Sequence, residues 1–138
     1  MGQLLSRATG ALYAHQRYRS AHGTPTPGEA LAEHRFVGPT QDDHPVPFFK
    51  WLRSVVPPER ITLRTSDLRD GFEAVRAGAG LGFMPVWQGR GRPEMGQVLP
   101  PQAEWEFPLW LVAHVDLHRT AKVQAFQAVL NEAAQSWP

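Results

Sequence analysis

Twelve glycines and thirteen prolines are spread through 138 residues. Proline fixes φ and removes a backbone donor, and glycine is the residue of tight turns and helix stops. A bundle of long helices is therefore excluded, and short elements joined by many turns are expected. The length suits one domain, or two small lobes sharing a cleft. Apolar residues are 42% and aromatics 10%, enough for a core that buries roughly two-thirds of the unfolded surface. Charged residues are 20% and the net charge is +1, which fits neither a disordered chain nor a broad basic face for nucleic acid. No cysteine is present, so disulfide staples, thiolate zinc sites and thiol catalysis are excluded, in agreement with a cytoplasmic protein. The opening residues lack a secretory apolar core, because Ser6 and Arg7 interrupt it. The longest apolar run, Leu109 to Ala113, is too short to span a bilayer.

Short apolar runs alternate with amphipathic stretches, which predicts an α/β chain. Gly10 to Ala14 reads as a strand, and His15 to His22 as one or two helical turns stopped by Gly23. Thr26, Pro27 and Glu29 carry the signature of a capped helix running to about Ala32. Arg35 to Gly38 predicts a brief strand, followed by a polar loop from Pro39 to Pro45. Pro47 to Val56 predicts a helix with Phe48, Leu52 and Val55 as its apolar stripe, widened by Phe49 and Trp51. Ile61, Leu63 and Thr65 alternate with polar residues, as in a half-buried strand. A helix capped by Ser66 or Asp67 follows, then a buried strand from Gly80 to Pro85. Gln88 to Pro93 reads as a loop and Gln97 to Leu99 as a short strand. Leu109 to Ala113 suits a strand covered on both faces. After a turn at 115–119, Val123, Phe126, Leu130, Ala133 and Trp137 form one stripe of a last helix.

Three segments, taken in order, resemble the effector-binding domain of LysR-type transcriptional regulators. The first is Ala11-Leu-Tyr-Ala-His-Gln-Arg-Tyr18 with Gly23, Pro25 and the short helix to His34. The second, and most specific, is Thr65-Ser-Asp-Leu followed by Glu73-Ala-Val-Arg-Ala-Gly-Ala-Gly-Leu-Gly-Phe-Met-Pro85. The third is Pro108-Leu-Trp-Leu-Val-Ala-His114 with Asp116, Arg119, Lys122 and Phe126. The resemblance implies an α/β fold similar to type II periplasmic binding proteins, in which two lobes joined by crossing strands enclose a small molecule. Residues 10–14 and 109–114 would be the crossing strands, 15–108 the second lobe, and 119–137 the final helix of the first lobe. The family's winged helix-turn-helix, linker helix and first half of the effector domain have no counterpart here. DNA binding is accordingly expected only through parts this chain does not carry.

The resemblance also places a ligand cleft beside Thr65, Ser66 and Asp67. These residues follow a strand and open a helix, where free N–H groups and the positive dipole end suit a carboxylate effector. Plain helix capping explains the same residues, and Asp67 and Asp70 would repel an anion unless turned away. Thr40 and Gln41 follow a strand end, and Trp87 follows another, so all three are candidates to border the cleft. An ordinary polar loop and a rim aromatic are the competing readings. No metal site or cofactor is expected: His114, Asp116 and His118 do not share a helical face. The glycines at 78, 80 and 82 leave a helix and enter a strand, the wrong context for a dinucleotide loop. Gly89-Arg-Gly-Arg92 reads as a solvated basic loop. No nucleophile motif is visible, which argues against an enzyme. The resulting expectation is a ligand-sensing piece of a regulator that self-associates through Val123, Phe126, Leu130 and Trp137. A free-standing solute-binding protein and a pure oligomerisation module are the rivals.

Overall fold

The computed structural model describes residues 2–26, 29–112 and 120–136. Its longest strand is β1, Gly2–His15, which begins well before the expected Gly10. Two ladders share it. Gly2 to Thr9 pair antiparallel with β6, Glu106–Val112. Gly10 to His15 pair with β4, Gly82–Pro85, and with β5, Met95–Leu99. Residues 10–14 and 109–112, both expected as crossing strands, therefore lie in one sheet but do not pair with each other. A parallel pair completes the fold: β2, Phe36–Pro39, beside β3, Ile61–Thr65. A bridge between Phe36 and Leu81 links β2 to the entry of β4, closed by Val37 N–H to the Leu81 carbonyl and Leu81 N–H to the Arg35 carbonyl, each 2.8 Å.

Alternation along the strands divides the core into two layers. Leu12 and Ala14 of β1, Phe36 of β2 and Phe83 of β4 face one side, where helix α2, Pro47–Val55, contributes Phe48, Phe49 and Leu52. Ala11, Tyr13, Val37 and Met84 face the other, under Val75 of helix α3, Leu68–Arg76. β4 is buried along its whole length because both layers cover it. Among the described residues β3 pairs with β2 alone, and Leu63 is 39% exposed, against the alternation expected for it. Val55 also departs from the expected stripe, at 40% exposed. The chain leaves the helix at Val56, whose extended backbone turns that side chain inward instead.

Helix α1, Gln16–His22, ends at Gly23 with φ 85, and α3 is followed by Gly78 with the same φ, a left-handed stop that suits glycine. Glu29–Glu33 is a short 3-10 turn; Pro27 of the expected cap lies outside the described residues. Trp87 sits on a one-turn helix α4, Val86–Gly89, where a loop was expected from Gln88. Helix α5, Ala121–Ala134, is capped by Thr120 accepting from Val123 N–H. Its expected single stripe divides: Val123 and Leu130 are half-buried, whereas Ala133 is exposed and Phe126 is 60% exposed. The turn at 115–119 and Trp137 lie outside the described residues. Among the described residues no helix is long and apolar enough to cross a membrane.

Candidate functional site

The parallel pairing of β2 and β3 brings their C-terminal ends side by side. Pro39 pairs with Thr65, and Thr40 N–H bonds the Thr65 carbonyl at 3.0 Å. In open α/β sheets a crevice forms at such strand ends, and here it is a cavity of about 110 Å³. Val37, Phe49, Phe72, Val75 and Phe83 supply apolar walls. Thr40 and Gln41 enter from one loop, and Thr65, Ser66 and Asp67 from the other. Five of the six expected effector residues therefore line one cavity.

Trp87 does not join them. It is 51% exposed and lies on another face with Arg69, Glu73 and Arg76. Pro85 passes straight into α4, and that single turn carries Trp87 away from the strand ends.

Local bonding fixes both loops. Asp67 is the N-cap of α3: its carboxylate accepts from Arg69 N–H at 2.7 Å, and its carbonyl accepts from Gly71 N–H. The Thr65 hydroxyl donates to the Asp67 carbonyl at 3.1 Å. Asp67 thereby takes one N–H at the start of α3 for itself, and a bound carboxylate would have to use the N–H groups that remain. Arg64 staples the opposite loop, donating to the Pro39 carbonyl at 2.9 Å and pairing with Asp42 at 3.1 Å. Arg53 donates to the Asp42 carbonyl. The Arg64–Asp42 ion pair is not deeply buried, so these contacts order the loop rather than add much stability.

Sequence reasoning passed over His44. Its ring lines the cavity and stands edge-on to Phe49, with centroids 4.9 Å apart. Its Nδ1 accepts from Val46 N–H at 3.3 Å. The neutral ring then carries its proton on Nε2, which is a donor. The available signal was spacing: His44 is three residues beyond Gln41 in the same loop. Taken together, the cavity offers an apolar body and a rim of hydroxyl, amide and imidazole groups. That is the composition of a small-molecule pocket. Among the described residues no group of three or more His, Asp or Glu could hold a metal ion.

Comparison with known proteins agrees with this architecture. No curated protein matches the chain. The regulatory domain of CrgA, a LysR-type transcriptional regulator from Neisseria meningitidis, is similar with a TM-score of 0.73 at 21% identity, over 97% of this chain and 68% of that one. Against CrgA as a longer chain the TM-score is 0.72, and the match spans 47% of its length. The effector-binding domain of AmpR from Citrobacter freundii is similar with a TM-score of 0.71 at 16% identity, over 99% of this chain and 68% of that one. Such identities establish the fold, which is the periplasmic-binding-protein-like α/β fold. The model of the LysR substrate binding domain matches residues 3–135, so the chain belongs to the LysR substrate-binding domain family, the effector-binding regulatory domains of LysR-type transcriptional regulators.

Proposed function

We propose that the cavity at the ends of β2 and β3 is the effector site of this chain, and that it takes a small molecule with an apolar body and a carboxylate end. One observation carries the reading: Thr40 and Gln41 converge with Thr65, Ser66 and Asp67 on the same apolar-walled cavity. The pocket favours ligand sensing over a pure oligomerisation module. The start of α3 supplies backbone N–H groups for the carboxylate, and His44 supplies a further donor. In a whole regulator, a ligand held here would shift the equilibrium between conformations and so govern DNA binding.

An NMR titration of the chain with a panel of organic acids tests this. The amides of Thr40, Gln41, Thr65, Ser66 and Asp67 are expected to move with saturation. Removing one hydroxyl, as in Ser66→Ala, should weaken binding about 2–10-fold, the worth of one net hydrogen bond. Shifts clustered elsewhere on the protein would refute the assignment.

We also infer that the chain self-associates through α5. Phe126 at 60% and Val129 at 64% exposed place two large apolar side chains in water on one helix. Covering each stabilises by about 1.5–3 kcal/mol. Leu130, half-buried beside them, would border the contact with Val123. Light scattering is expected to report a dimer or larger at tens of micromolar, on the order of a −7 kcal/mol contact. Phe126→Asp should yield a folded monomer, since that side chain adds little to the chain's own core. A wild-type chain that stays monomeric at that concentration rejects the interface.

A further inference from the structure

The basic loop Gly89 to Arg92 borders an open basin that shares no lining residue with the cavity at β2 and β3: its lining comes from Tyr13, α4 and the residues leading into β5. Tyr13 is 4% exposed. Its hydroxyl reaches this basin and has no hydrogen-bond partner among the described residues. The ring is packed away but the hydroxyl is not sealed from water, so a ligand entering the basin can take its proton. Gly89 makes the position possible: a Cβ there would lie 2.3 Å from the Tyr13 ring and 2.6 Å from its hydroxyl. Arg90 and Arg92 line the same basin, both exposed and without an ion-pair partner among the described residues. Glu94 is close in sequence but does not line it. Its backbone carbonyl is instead used by Gln16 N–H and Arg19.

We propose that Tyr13, Arg90 and Arg92 form a second binding site, separate from the cavity at β2 and β3, that takes a small oxyanion. A guanidinium presents a planar fork of donors that matches carboxylate and phosphate oxygens. The phenol adds one more donor, and it stays protonated at neutral pH. Burial raises the Tyr13 pKa, and the nearby Arg90 charge offsets only part of that rise. Gly91, at φ 76, turns the loop sharply between the two arginines.

The test uses the full chain, labelled with nitrogen-15, titrated with inorganic phosphate or acetate against sodium chloride at matched ionic strength. Saturable shifts are expected at Tyr13, Gly89 to Arg92 and Gln97, and the stronger of the two probes identifies the preferred oxyanion. Tyr13→Phe and Arg90→Gln should each raise the dissociation constant at least five-fold while the remaining spectrum is preserved. If Tyr13→Phe misfolds, Arg90→Gln and Arg92→Gln, at exposed positions, decide the matter. Shifts that follow ionic strength alone, or saturation untouched by the arginine variants, overturn the site. Shifts confined to residues 65–67 assign the anion to the other cavity and also overturn it. So does binding of a random DNA duplex through Arg90 and Arg92 that phosphate fails to displace, which would identify a nucleic-acid contact.

Discussion

Trp105→Ala should destabilise the protein by about 3–5 kcal/mol, the usual cost of truncating a fully buried aromatic. Trp105 has no exposed surface. Its ring meets Phe83 edge-on at 4.9 Å and Trp51 at 5.5 Å between centroids. Phe83 in turn stacks on Phe48 at 4.9 Å. One side chain thus joins the loop before β6, helix α2 and strand β4. A domain of this size has roughly 5–15 kcal/mol of total stability, so the variant should be partly unfolded at 37 °C. Trp105→Phe should be milder, at about 1–2 kcal/mol, by the smaller volume removed. The Trp105 Nε1 is buried with no partner among the described residues, so phenylalanine sacrifices no hydrogen bond. Urea denaturation followed by circular dichroism measures both. A loss below about 1 kcal/mol for the alanine variant would show that this aromatic cluster is not the keystone of its layer.

Trp105 also marks the limit of what the sequence discloses. It falls in a proline-rich stretch with no period, between Pro101 and Pro108, where no local rule nominates a core residue. Its burial follows from a short 3-10 turn, Ala103–Trp105, that delivers it under α2. Segments with a strong local signal read well. Phe48 and Leu52 announce the buried face of α2, and the glycines at 23 and 78 announce where helices stop. The start of β1 did not, because Gly2 to Ser6 are exposed or half-buried and carry no alternation. Their strand is defined by pairing with β6, more than a hundred residues away. The cavity was legible as two strand-to-loop junctions, Thr40–Gln41 and Thr65–Asp67, but their meeting depends on the parallel pairing of β2 with β3. Trp87 follows a strand in the same fashion, yet α4 redirects it. Local sequence states that a residue follows a strand; the next turn decides where it points.

Tyr18→Phe should cost about 1–3 kcal/mol and remove part of the protein's acid sensitivity. Tyr18 is 1% exposed. Its hydroxyl accepts from Arg35 N–H at 3.0 Å and lies 2.8 Å from His34 Nδ1. In the tautomer with Nδ1 unprotonated, the hydroxyl gives its proton to His34. Protonating His34 would leave the buried phenol proton without its acceptor. The imidazole pKa is lowered, chiefly by burial and further by the neighbouring His22, with Glu33 opposing. The sign follows from linkage. The unfolded chain takes up its proton near the ordinary histidine value, about 6.5, before the folded chain does. This contribution to stability is complete above that pH and is lost as pH falls through the lower folded value. Melting temperature should therefore decline on acidification below about pH 6.5, and Tyr18→Phe, which has no proton to place on Nδ1, should decline less steeply. The phenylalanine ring preserves the tilted ring contact with His22, 4.7 Å away between centroids, so the difference isolates the hydroxyl. Parallel pH profiles for the two proteins would show that burial and His22 set the His34 pKa without help from Tyr18.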